Sequence, residues 1–97
     1  MQGTMTASEV VISDHARFEM ERRQIAEEAV RQVALAPEQA VPLGRGRTIR
    51  QSRIVDDGSG KTMLLRVVTE ERQGQLFVVT AYRTSKVSKY WQPEGEP

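Results

Sequence analysis

Residues 75–91 read QLFVVTAYRTSKVSKYW. The first half, Leu76 to Tyr82, is an apolar run of strand formers. The second half is cationic and aromatic, with Arg83, Lys86, Lys89, Tyr90 and Trp91. No acidic residue falls between Arg72 and Pro93. A buried strand thus leads into a positively charged exit, and the rest of the chain reads as cover for one side of that strand.

Moving outward, Thr62 to Thr69 (TMLLRVVT) is a second apolar strand, joined to the first by the turn signal Gln73-Gly74. Asp57-Gly58-Ser59-Gly60 marks the turn before it. Thr48 to Val55 alternates weakly and carries polar residues, as an exposed or edge strand does. Pro42, Gly44 and Gly46 form a loop. Three strands with short turns predict an antiparallel meander. Upstream, Val10 to Ile12 is a β-branched patch that forms a brief strand or simply packs. Ser13 reads as a helix N-cap, with Asp14 complementing the positive helix end. The helix is expected from Asp14 to Arg22, with Ala16, Phe18 and Met20 as its apolar candidates. A second helix carries Ala29, Val30, Val33 and Leu35 on its inner stripe and closes before Pro37. One kinked helix also fits; two helices, broken near Arg23 and Gln24, fit better. The expected fold is α+β: two N-terminal helices on a three-stranded antiparallel sheet, with room for a fourth strand. It forms one domain over residues 9–91, with flexible termini at 1–8 and 92–97.

At 97 residues, with 38% hydrophobic and 28% charged side chains, the chain suits one small globule with a modest core. The absence of cysteine excludes a disulfide framework and thiol catalysis. A single histidine argues against a zinc site, and no metal or cofactor is expected. There is no apolar run of about 18 residues and no secretory pattern, so a cytoplasmic protein without membrane contact is expected. The formal net charge of +1 hides an asymmetry. The segments holding Arg45, Arg47, Arg50 and Arg53, and then Arg83, Lys86 and Lys89, are purely cationic, and local positive surface attracts phosphates.

Two groups of residues carry a family resemblance. One is His15-Ala16-Arg17 with Met20, Arg23 and Ile25. The other is Leu64 to Val68 followed by Val79-Thr80-Ala81-Tyr82. Together they resemble the domain of unknown function 4258, whose members look like relatives of the RelE and ParE toxin fold. The likeness spans Ile12 to Tyr90. It implies helices over one face of an antiparallel sheet. By analogy with the wider toxin relatives, it also implies RNA as a substrate and a cognate antitoxin or other protein as a partner. Two positions depart from the pattern: Glu19 stands where the family often has a basic residue, and Gln24 where it has glycine.

The chemistry follows from the side chains. RNA cleavage without metal needs a base, cations for the phosphate and a proton donor. His15, in the first turn of a helix, is expected as the neutral imidazole base. Tyr82 and Arg83 complete the candidate catalytic set. Arg23, Arg66, Thr80, Lys86 and Lys89 are the candidate substrate-binding residues. Each has a plainer alternative: His15 caps or packs its helix, and Val87 and Tyr90 dock the tail while the lysines are solvated. Arg66, Thr80 and Tyr82 form one cluster only if the register of the last two strands puts them on the same face. The expected function is action on RNA as a metal-independent endoribonuclease toxin. The alternative is a non-catalytic module that binds a partner protein or nucleic acid. Both readings place His15 and the cationic exit together over the side of the sheet left bare by the helices.

Overall fold

The computed structural model describes residues 9–93; the expected flexibility of 1–8 and of 94–97 falls outside them. The chain runs β1 (Val10–Ile12), α1 (Asp14–Arg23), α2 (Glu27–Leu35), β2 (Gln39–Gly44), β3 (Arg47–Val55), β4 (Thr62–Arg72), β5 (Gln75–Thr84) and α3 (Val87–Tyr90). The strands make one sheet in the order β1-β5-β4-β3-β2. β1 pairs with β5 in parallel, and the other pairings are antiparallel. The class is α+β. The three-stranded antiparallel expectation is corrected to a five-stranded mixed sheet.

Two strands account for that correction. The Val10–Ile12 patch is a true strand, placed parallel to β5 because the chain then has all of α1 through β4 in which to return. The Pro42 loop is mostly strand: β2 runs to Gly44, with Leu43 as an extra residue between the pairs Pro42↔Thr48 and Gly44↔Arg47. β3 is therefore interior, and the edge role expected of it passes to β2, where proline and a bulge blunt the free edge. The β4–β5 turn follows the sequence signal. Gln73 and Gly74 both have positive φ (50° and 81°), the geometry that matches strand twist in a two-residue hairpin.

The helices follow their caps. The Ser13 hydroxyl accepts from the Ala16 N–H at 3.0 Å. At the other end Gln24 takes φ 57°, its N–H bonds back to Glu21 O, and Ile25 N–H bonds to Met20 O at 2.8 Å. This is a left-handed C-terminal cap with the buried Met20–Ile25 pair closing it, and it splits α1 from α2. Ala16 and Met20, four apart, face inward. Phe18 lies between them on the opposite side and is 61% exposed, so it is not a core residue.

The core lies between the helices and one sheet face. Val10, Ile12, Ala16, Met20, Ile25, Val30, Val33, Ala34, Leu65, Val67, Leu76, Val78 and Ala81 are buried there. Fully burying each large aliphatic side chain contributes about 1.5–3 kcal/mol. A bulge lets Val78 and Ala81 share that face despite their odd spacing: Thr80 pairs with Val68 and Val78 with Thr69, leaving Val79 as the extra residue.

Candidate functional site

The other sheet face holds the polar cluster. Arg66 pairs directly with Tyr82 across β4 and β5, and Val68 with Thr80, so Arg66, Thr80 and Tyr82 share the side away from α1 and α2. Gln51, opposite Arg66 on β3, joins them. The Arg66 guanidinium donates from Nε to Gln51 Oε1 at 2.9 Å and from Nη1 to the Tyr82 hydroxyl at 2.6 Å. Because that hydroxyl accepts from the guanidinium, its own proton is left for an outside acceptor.

This face is not bare. After Thr84 the chain turns back across it, and α3 packs on β4. The Tyr90 ring lies 4.2 Å from the Arg66 guanidinium carbon, and Trp91 stacks at 4.3 Å on Arg53. Gln51 Nε2 donates to Tyr90 O at 3.2 Å. Gln39 holds Gln92 at both backbone groups, donating to its O at 2.9 Å and accepting from its N–H at 3.0 Å. The docked tail, rather than a free cationic ridge, is the observed arrangement. Lys86 and Lys89 remain exposed, with Lys89 Nζ 5.3 Å from the Tyr90 ring centre.

Arg83 alternates to the helix side, with Leu65. It donates to Gln24 O at 3.2 Å and stands 3.9 Å from Asp56. Arg23, at the end of α1, donates to Ala81 O at 2.8 Å and pairs with Glu19 at 3.0 Å. Arg23, Met63, Tyr82 and Arg83 then line one open cleft of about 430 Å³, where α1 meets the ends of β4 and β5. Three of the residues singled out in the sequence converge there.

Glu19 lies buried on α1. The structure gives it a positioning role: its carboxylate binds Arg22 at 2.5 Å and Arg23 at 3.0 Å, fixing Arg23 beside the cleft. The Arg22 hydrogen bond, then the charges of Arg22, Arg23 and His15, hold the Glu19 carboxyl below its ordinary range despite partial desolvation. Gln51 and Met63 were missed. Only the final register reveals them, since neither residue type signals function in a strand.

His15 lies apart. It is exposed on α1, one turn before Glu19. Among the described residues no hydrogen bond, ion pair or ring contact joins it to Tyr82, Arg83 or Lys86. It precedes Arg23 by eight residues, about 12 Å along the helix axis.

Two larger clefts are less suited to an anion. One, of about 590 Å³ between the hairpin ends, contains Arg47 and Arg50. Arg47 is 3.8 Å from Glu70, and Arg50 is spent on Ala34 O at 3.1 Å and Thr69 at 3.3 Å. The other, of about 510 Å³, opens beside Asp56 and Asp57. No group of three or more His, Asp or Glu side chains suited to a metal ion occurs among the described residues. No helix among them is long and apolar enough to cross a membrane.

Comparison with known proteins returns no matching curated protein and no matching solved structure. The model of one family, domain of unknown function (DUF4258), matches residues 12–83, from β1 through Arg83. The match takes in α1 with Arg23, β4 with Arg66 and β5 with Tyr82, and the chain belongs to the DUF4258 family.

Proposed function

We propose that this chain is a RelE-like cytoplasmic domain that binds single-stranded RNA. A backbone phosphate sits in the cleft of Arg23, Tyr82 and Arg83, and neighbouring bases lie against the aromatic and cationic surface beyond it. One observation carries the reading: two arginines, Arg23 and Arg83, and the aromatic Tyr82 line one open cleft. Guanidinium forks suit phosphate oxygens, and aromatic rings beside cations suit stacked bases. From Tyr82 the surface continues to Tyr90, which covers the buried Arg66, with Lys89 beside it. Glu19 and Asp56 partly offset the two cleft arginines, so moderate, salt-sensitive affinity is the expectation.

Cleavage by His15 has less support than binding. A general base must come within about 3 Å of the proton it takes, and His15 is not among the residues that line the cleft. A protein partner such as an antitoxin is the second reading, favoured by Phe18, 61% exposed on the outer side of α1.

The test is titration of a fluorescent uridine hexamer into the purified protein at several salt concentrations. Affinity should fall steadily as salt rises. Arg83→Ala should weaken it about tenfold with the fold intact by circular dichroism. Absent or salt-independent binding would overturn the RNA reading and favour the protein partner.

A further inference from the structure

Arg66 is the one buried cation among the described residues, 6% exposed. Its partners are neutral: Gln51 Oε1, the Tyr82 hydroxyl and the Tyr90 ring face. No carboxylate of the described residues is paired with it. A guanidinium has five N–H donors, and the contacts above use two. Taking such a charge out of water without a counter-ion costs several kcal/mol, and a site that tolerates this is prepared for an anion.

What covers Arg66 is lightly held. α3 has no buried residue. The segment from Tyr90 to Gln92 is fixed by one hydrogen bond from Gln51, the pair with Gln39, and the two ring–cation stacks. Each such contact is individually weak. Beneath it Leu64 and Gln51 are both fully buried, and their re-exposure is the cost of lifting the segment.

We propose that residues Tyr90–Gln92 form a strap over a second phosphate site centred on Arg66, and that RNA binding lifts it. The proposal rests on the RNA reading above. The first phosphate occupies the cleft, and Tyr82, which lines that cleft and touches Arg66, leads the next one to the buried guanidinium. Tyr90 and Trp91, once released from Arg66 and Arg53, move out into solvent. The strap thus keeps the charged centre closed until a ligand long enough to reach it arrives.

Trp91 is the single tryptophan of the chain and sits in the strap, so its emission reports the opening. The experiment uses the full chain, the uridine hexamer and acrylamide quenching. RNA should raise the quenching constant of Trp91 at least twofold. Gln39→Ala, which removes both contacts to Gln92 and the Gln51 Nε2 bond to Gln39 while leaving Gln51 Oε1 on Arg66, should raise it in the free protein and tighten hexamer binding severalfold. Arg66→Lys, which keeps the charge but loses the fork, should weaken binding about tenfold; Arg66→Met should do the same where it folds. Hexamer binding with Trp91 quenching unchanged or reduced would overturn the strap and leave the RNA reading standing. Failure of both the native protein and Gln39→Ala to bind would overturn both. Binding by Gln39→Ala alone would support both, with a strap that is closed more tightly than the ligand can open.

Discussion

Arg66 and Tyr82 are directly opposed across β4 and β5, and the guanidinium donates to the phenol oxygen at 2.6 Å. The bond is part of what makes a buried positive charge tolerable on this face. Tyr82→Phe keeps the ring and leaves that donor without its acceptor. The expected loss is about 1–3 kcal/mol of stability, read as a lower midpoint in urea with unchanged slope. Tyr90→Phe retains the ring face that Arg66 uses, and should stay within about 0.5 kcal/mol of the parent. Equal effects from the two changes would mean that the hydroxyl contact contributes nothing.

Gln24 closes α1 with φ 57°, a conformation that costs a side chain about 1–2 kcal/mol and costs glycine little. Gln24→Gly should stabilise the fold by roughly 0.5–1 kcal/mol, after allowance for the extra freedom of glycine in the unfolded chain. Its carbonyl, which accepts from Arg83 at 3.2 Å, is unaffected by the change. RNA affinity should therefore stay constant while the thermal midpoint rises. A lower midpoint would show that the glutamine side chain contributes contacts that outweigh the strained backbone.

The helices and the last two strands were legible because each had a local signal: Ser13 as cap, Gln73-Gly74 as turn, and near-continuous apolar runs of strand formers. Phe18 is hydrophobic but lies outside the core because Ala16 and Met20 fix the inner side of α1 and position 18 points away from it. β2 was hidden by Pro42 and Gly44, which read as loop but are tolerated at a bulged edge. The parallel pairing of β1 is long-range and leaves no local trace. The cluster of Arg66, Thr80 and Tyr82 could be posed but not decided from sequence, since it turns on register. The docking of Tyr90 and Trp91 on two arginines depends on where the chain goes after Thr84, which composition alone does not give.

Glu38 supplies a test in acid. It binds Arg53 through both carboxylate oxygens, at 3.1 and 3.0 Å, and accepts the Arg53 N–H at 2.8 Å. The Arg53 side-chain bond, then its backbone N–H, lower the Glu38 pKa from 4.5 to about 2. A carboxyl with a depressed folded pKa stabilises the fold above its unfolded value and loses that contribution as pH falls through the folded one. The window therefore runs from about 4.5 down to about 2. The pair is 51% and 41% exposed, so salt and water screen it and the effect on stability should be small. Arg53 also carries Trp91, so tryptophan emission should shift over the same window. In Arg53→Met the Glu38 titration, followed by NMR, should rise toward 4.5 but stay below it, because the backbone N–H of residue 53 still donates to the carboxylate. A Glu38 titration unchanged in that variant would remove the Arg53 side chain as the main cause.

His15 separates binding from cutting. The imidazole is exposed, and its nearby charged neighbour on α1 is Glu19, one turn away. Under the binding proposal it touches neither the cleft nor Arg66. His15→Ala should change hexamer affinity by less than about twofold and stability by less than about 0.5 kcal/mol. RNA incubated with the native protein in the presence of a chelator should remain intact over hours. Cleavage that disappears in His15→Ala would reverse this order of readings, because it would require RNA to bring its reacting sugar to the N-terminal turn of α1. In that case the cleft of Arg23, Tyr82 and Arg83 would hold a phosphate one or two nucleotides away from the bond being cut, and Arg83→Ala should then raise KM more than it lowers kcat.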